Sequence, residues 1–270
     1  MSEYPDFIRD FPKLSIEKLV PNKMYEAVLL IEAQNVVPEN YIPENLIHFK
    51  TIYNWNSKFI GIINKVIPAV RINGFPLFDN YSWLEQFPSV DEKIDGICLI
   101  ARANGRAVEG DISILREVVF DQITDMTKHA YGKTPFCGEH YRGVIGESIA
   151  ETYPSSLAKL KKLSEYKFSL CFENCHHELW SWDYITEKIF DCFKAKTVPI
   201  YLGCFNIEEH IPPELYIDFR KFQSVPELTE YMKSLSGSQI EEMTEKAYAW
   251  VKQSRWGNIA DLRQQLAAYR

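Results

Sequence analysis

The feature that most constrains this chain is a repeated short apolar run. Ala27-Val28-Leu29-Leu30-Ile31, Thr51 to Trp55, Gly96 to Ala101, Phe168-Ser169-Leu170-Cys171-Phe172 and Val198-Pro199-Ile200-Tyr201-Leu202 are each too short for a core helix. Most are continuously apolar rather than alternating, the pattern of strands buried on both faces. Helical periodicity fills the gaps. It predicts helices over Ser113–Lys128, Pro154–Glu165 and Asp183–Ala195, then over Val225–Leu235 and Gln239–Ala268. Lys58–Val66 reads equally as a short helix or an extended hairpin. Strand, helical crossover and strand in that order give a parallel sheet covered on both faces, an α/β architecture. Ligands in such sheets bind at the carboxyl ends of the strands. The places to search are therefore just after Ala101, Phe172 and Leu202.

Residues 71–88, with Gly74, Pro76 and Pro88 among aromatics, read as an irregular linker. That divides a short N-terminal unit, 1–90, from a larger one, 91–270. The last helix is expected to pack on the core and to cross back toward the first unit. The outer face of the helix ending at Glu165 is expected to be basic through Lys159, Lys161 and Lys162.

Composition excludes some functions. The formal charge of −7 argues against nucleic acid as a partner and against a polybasic membrane anchor. No stretch reaches the ~20 apolar residues of a membrane span. The start, Met1-Ser2-Glu3-Tyr4-Pro5-Asp6, has no signal-peptide pattern. A cytoplasmic location is the expectation. The six cysteines, mostly inside apolar segments, read as reduced core thiols. Cys171, Cys175, His176, His177 and Cys192 lack the paired spacing of a zinc site, and no metal is expected.

The densest chemistry lies between Tyr166 and Lys188. A buried strand ends at Glu173-Asn174, and a helix follows whose first turn is expected to carry Tyr184, Thr186, Glu187 and Lys188. Free N–H groups and the positive dipole end at such a turn suit a diphosphate, and Lys188 adds a full charge. Glu187 would be repelled by phosphate and is better placed on sugar hydroxyls. The plainer reading of the same residues is a capped surface helix with a neighbouring Glu–Lys pair. His176 and His177 read either as a loop over the site or as exposed loop histidines.

Three motifs in order, F-E-N (Phe172–Asn174), D-Y-I-T-E-K (Asp183–Lys188) and V-P-I-Y-L-G (Val198–Gly203), resemble the core of the α-1,3-fucosyltransferase family, glycosyltransferase family 10. The resemblance covers about residues 95–222 and is fainter over 27–60. It implies a GT-B-like fold of two Rossmann-like domains, here with a reduced N-terminal acceptor domain. It also implies GDP-fucose as donor, an acceptor glycan and inverting transfer to a hydroxyl. No cofactor is implied beyond the donor substrate. By the same resemblance, Lys188 binds the donor's phosphates and Glu187 its ribose, while Tyr184 and Asn174 line the donor pocket. Arg116, in Leu115-Arg116-Glu117-Val118-Val119-Phe120-Asp121, grips the diphosphate; taken alone it reads as an exposed helical arginine. Glu173 and Thr186 belong to the same donor segment, and Asn104 follows the strand ending at Ala101. Glu32, directly after a strand, stands where the family's general base stands, although Ile31 precedes it where the family has glycine.

Charge sets the expected mechanism. Cleaving the sugar–phosphate bond leaves positive character on the sugar and negative charge on the nucleotide. Arg116, Lys188 and the helix N-terminus would stabilise the leaving group, at roughly 3–4 kcal/mol per preorganised donor. Glu32 would take the acceptor's proton. Two alternatives stand beside this reading: the same mechanism with another donor such as a UDP-sugar, and a nucleotide-sugar- or glycan-binding protein without turnover.

Overall fold

The computed structural model describes residues 7–9, 24–72, 83–101, 108–133, 135–145 and 156–254. Two parallel sheets organise them. The first runs in sequential order through β1 (Phe7–Arg9), β2 (Tyr25–Leu30), β3 (Phe49–Asn54) and β4 (Ala69–Arg71). Its connections carry α1 (Pro43–Leu46) and α2 (Ser57–Ile63). The second contains β5 (Ile94–Ile100), β6 (Thr127–Tyr131), β7 (Tyr166–Phe172), β8 (Val198–Leu202) and β9 (Ile217–Asp218), in the order β6-β5-β7-β8-β9. Its helices are α3 (Ser113–Gln122), α4 (Leu157–Ser164), α5 (Glu187–Lys194), α6 (Val225–Ser234) and α7 (Gly237–Gln253).

The strand order fixes where a ligand can sit. From β5 the chain steps to β6 on one side, whereas β7, β8 and β9 lead away on the other. The direction reverses between β5 and β7, and the crevice at their carboxyl ends is the switch point of a doubly wound sheet. The helix predicted over Ser113–Lys128 is shorter, and its last residues belong to strand β6. The helix stops at Gln122, Asp125 takes a left-handed turn (φ 57°), and Thr127–Tyr131 pairs with β5. Without β6 the switch point cannot be located.

Other expectations also change. Lys58–Val66 resolves as a helix, capped by the Asn56 side chain accepting from the Phe59 N–H. Helix α5 begins at Glu187 rather than Asp183. Asp183 has a left-handed backbone (φ 63°), and Thr186, in extended conformation, is the N-cap that accepts from the Lys188 N–H. Lys159 is not on a basic outer face: it is buried and donates to Asp191 at 2.8 Å. Strand β4 precedes the predicted linker, most of which lies outside the described residues, as does the end of the last helix. Through Gln253 that helix packs along α5, with Tyr248 edge-on to Trp83 (5.5 Å) and Phe87 (5.3 Å).

The core is continuous across the two sheets. One apolar cluster joins Leu29, Ile31, Tyr53 and Trp55 of the first to Tyr184, Ile185, Ile189 and Phe193 of the second. Alternate residues of β5, β7 and β8 face a second cluster with α3 and α6, so both faces of that sheet are covered. This is the burial that the continuous apolar runs demanded.

Candidate active site

Each functional side chain sits at the carboxyl edge of a sheet. Strand β7 ends at Phe172, and the next two residues turn into the crevice. Glu173 has no solvent exposure. Its carboxylate accepts from the Thr186 N–H (2.8 Å), the Thr186 hydroxyl (2.7 and 2.9 Å) and the Lys188 ammonium (2.8 Å). Gly203, at the end of β8, makes room for it: a Cβ there would lie 2.3 Å from Glu173 Cγ and 2.5 Å from Glu173 Cβ. That is a physical reason for the glycine of V-P-I-Y-L-G.

Lys188 lies at the first turn of α5, its ammonium also 4.0 Å from the Glu187 carboxylate. Burial opposes its charge, but Glu173 and Glu187 outweigh burial and hold the ammonium above the ordinary lysine range. The lysine is thus charged before any ligand arrives. Arg116 comes from α3, inward-facing and only 4% exposed. Its Nη2 donates to the Glu173 carbonyl and to Asn174 Oδ1 (2.6 Å). Among the described residues its buried Nε has no hydrogen-bond partner. Burial pulls its pKa below the ordinary value, against the opposing charge of Glu173. Two cations, a helix N-terminus and an unsatisfied buried donor therefore meet at the switch point.

Glu32 reaches this place from the first sheet. It lies two residues past β2, half-buried, and its carbonyl accepts from the Tyr41 hydroxyl at 2.9 Å. Trp55 donates to the Ile31 carbonyl (2.6 Å) and its ring lies 4.9 Å from that of Tyr184. Burial pushes the Tyr184 phenol well up, and the charges of Glu32, Glu173 and Glu187 push it further. Glu32 is thus an electrostatic neighbour of Tyr184. Asn35, three residues on, donates to the Asn174 carbonyl at 2.8 Å.

The structure therefore brings together Glu32, Arg116, Glu173, Asn174, Tyr184, Thr186, Glu187 and Lys188. Their postures differ from a simple list of ligand contacts. Glu173, Thr186 and Tyr184 are enclosed and form the frame, whereas Glu187, Lys188 and Asn174 keep partial exposure. Asn104 lies outside the described residues. His176 stacks on Phe205 and bonds the Gly203 carbonyl at 2.8 Å, and His177 stacks on Trp180 at 4.2 Å, so both shape the loop between β7 and α5. Sequence reasoning missed Asn35, Trp55 and the Glu173–Lys188 pair. The pair had a signal, since a carboxylate closing a buried strand needs a cation or donors nearby. Trp55 and Asn35 carry no local signature. Among the described residues, no group of three or more His, Cys, Asp or Glu side chains is arranged to hold a metal ion.

Residues 140–268 match the glycosyltransferase family 10 (fucosyltransferase) C-terminal domain. Those residues carry a glycosyltransferase family 10 domain. It is 31% identical over 146 residues to an α-(1,4)-fucosyltransferase of Arabidopsis thaliana, spanning 50% of this chain and 34% of that protein. It is also 31% identical over 162 residues to a 3-galactosyl-N-acetylglucosaminide 4-α-L-fucosyltransferase of Bos taurus, spanning 59% of this chain and 40% of that one. The chain thus covers between a third and two-fifths of the length of these curated relatives. A crystal structure of an α1,3-fucosyltransferase with GDP superposes with a TM-score of 0.51 at 17% identity, covering 90% of this chain and 83% of the other. The chain has the GT-B fold, with parallel sheets in both halves.

One expectation is corrected by these similarities. Homologous eukaryotic fucosyltransferases of the family are Golgi-resident membrane proteins, so a cytoplasmic location does not follow. Among the described residues no helix is long and apolar enough to cross a membrane, which says nothing about the compartment.

Proposed function

We propose that this chain is an inverting glycosyltransferase that moves fucose from GDP-fucose to a hydroxyl of an acceptor glycan. The observation that carries the reading is the convergence of Arg116 and Lys188 at the N-terminus of α5, with the buried Arg116 Nε unsatisfied. A buried donor without a partner is costly, and a diphosphate oxygen would satisfy it. The fucosyltransferase names of the family relatives support fucose as the transferred sugar.

In this account residues 91–270 bind the donor and residues 1–90 present the acceptor. The diphosphate lies against Arg116, Lys188 and the free N–H groups of α5, with Glu187 on the ribose. As the C–O bond to the sugar breaks, charge grows on the departing phosphate, and Arg116 and Lys188 are already in place to meet it. Glu173, Thr186 and Asn174 hold the two cations in position, and Tyr184 forms the floor against Trp55. Glu32 takes the acceptor hydroxyl's proton as that oxygen attacks the opposite face of the sugar, which inverts the anomeric centre.

Glu32→Gln separates these roles. The variant keeps GDP binding within about twofold, because Glu32 follows a strand of the first sheet whereas Arg116 and Lys188 lie on helices of the second, and loses transfer by about 10²-fold or more. Full transfer by this variant removes Glu32 as the base.

A further inference from the structure

Asp183 opens the D-Y-I-T-E-K segment, and neither the donor nor the acceptor chemistry above uses it. It is 3% exposed and adopts a left-handed backbone (φ 63°), a conformation that a non-glycine residue keeps only where its surroundings enforce it. Its two carboxylate oxygens are divided between the two sheets. Oδ2 accepts from the Ser57 N–H (3.0 Å) and the Ser57 hydroxyl (2.6 Å), at the start of α2, and lies 3.3 Å from the Arg71 guanidinium at the end of β4. Oδ1 accepts from Asn206 Nδ2 (3.0 Å) and pairs with His210 Nε2 (2.7 Å), both on the connection after β8. The Asp183 N–H closes the set by donating to Asn206 Oδ1 at 2.8 Å.

The neighbouring loop adds to the same junction. Asn56 donates to the Leu179 carbonyl (2.8 Å), and the Lys58 ammonium sits 3.7 Å over the Trp182 ring. Asp183, however, binds both sheets through one carboxylate. Burial works against its charge, but the hydrogen bonds from His210, Ser57 and Asn206 prevail and keep the carboxyl well below the usual range. It stays ionised and accepts from both sides at neutral pH.

What lies on either side of Asp183 gives the junction its consequence. Tyr184, the next residue, rests on Trp55, whose indole N–H holds the Ile31 carbonyl beside Glu32. Thr186 and Lys188 follow within five residues. A shift of Asp183 relative to Ser57 therefore changes the distance between Glu32 and the phosphate cradle.

We infer that Asp183 is a positioning residue that locks the first sheet onto the donor-binding turn and so sets the spacing between Glu32 and the cradle of Arg116 and Lys188. The inference rests on the proposed transferase reading for its effect on turnover, but the lock itself can be read without any ligand.

The test uses the full chain with Asp183→Asn, Ser57→Ala and the double variant. Asparagine keeps the shape but offers one acceptor oxygen instead of two, so it serves one sheet and presents an NH2 group to donors of the other. Amide hydrogen exchange around Asn54–Ile60 should rise in both single variants, and the double variant should add little to Asp183→Asn alone. GDP affinity should stay within about threefold, because Arg116, Lys188 and α5 all belong to the second sheet. The turnover number at saturating donor should fall about 10- to 100-fold, the size expected when reacting groups are displaced by an ångström or so. Unchanged exchange at residues 54–60, or full additivity of the two substitutions, overturns the lock. Loss of GDP binding in step with turnover overturns the positioning role, since the damage would then lie in the donor site. If the parent chain binds no GDP, the transferase reading fails while the exchange result still decides the lock. If Asp183→Asn does not fold, Ser57→Ala alone gives the same readouts.

Discussion

Replacing Lys188 by methionine should damage the molecule in two separable ways. The first is stability. Glu173 has no exposure, and one of its four close contacts is the Lys188 ammonium at 2.8 Å. Removing that charge leaves a buried carboxylate held only by Thr186. Breaking a buried pair from one side costs about 3–5 kcal/mol. The lower end applies here, because the Lys188 side chain is 23% exposed and Arg116 stays close to Glu173. For a chain of this size about 3 kcal/mol lowers Tm by roughly 6–12 °C. Because the folded protein raises the lysine pKa, the stabilisation is complete below the unfolded value of about 10.4 and fades only as pH rises through the folded one. The deficit should therefore be constant between about pH 6 and 9. The second loss is function. A charge-assisted contact to phosphate is worth about 1.5–3 kcal/mol, so GDP should bind about 10- to 100-fold more weakly. The double variant Glu173→Gln/Lys188→Met separates the two. It removes the orphaned charge and should recover most of the Tm, while GDP affinity stays low. Thermal unfolding and calorimetric titration on the same samples read both quantities. A Tm loss under about 1 °C in Lys188→Met would refute the buried-pair argument. Recovery of GDP affinity in the double variant would refute the phosphate contact.

Two further substitutions test the frame of the site. Gly203→Ala places a methyl group 2.3 Å from Glu173 Cγ and 2.9 Å from the Tyr201 hydroxyl, so either Glu173 or β8 must move. It should cost about 1–3 kcal/mol on denaturant unfolding and weaken GDP binding with it, and a neutral result would mean the Glu173 side chain is free to leave. Arg116→Lys keeps the charge but cannot reproduce the bond to both the Glu173 carbonyl and Asn174, so GDP affinity should fall about tenfold or more. Unchanged affinity would remove Arg116 from the donor site.

The sequence made the second sheet partly legible because its strands are buried on both faces, and continuous apolar runs such as Phe168–Phe172 carry that signal directly. Strand β6 did not show because Thr127-Lys128-His129-Ala130-Tyr131 is an edge strand with mixed burial. Its residues continue an amphipathic helix pattern that only the left-handed Asp125 interrupts. The start of α5 was misplaced for a similar reason. Asp183 is a good helix-starting residue by type, and what bars it from the helix is a set of tertiary hydrogen bonds from Ser57, Asn206 and His210, which no local pattern encodes. The motif residues Glu173, Thr186 and Lys188 could be assigned to one site. That Glu173 faces the lysine rather than a ligand depends on the β8 glycine thirty residues on. Contacts such as Asn35 to Asn174 join segments 139 residues apart and leave no trace in either segment.

The central claim is a guanosine diphosphate site at the switch point of the second sheet, and calorimetric titration of the full chain with GDP, GDP-fucose and UDP tests it most directly. The account predicts saturable binding of GDP and GDP-fucose, with UDP at least about tenfold weaker, one order of magnitude being about 1.4 kcal/mol. Preference for UDP would contradict the donor assignment. Absence of binding by any of the three would contradict the site itself.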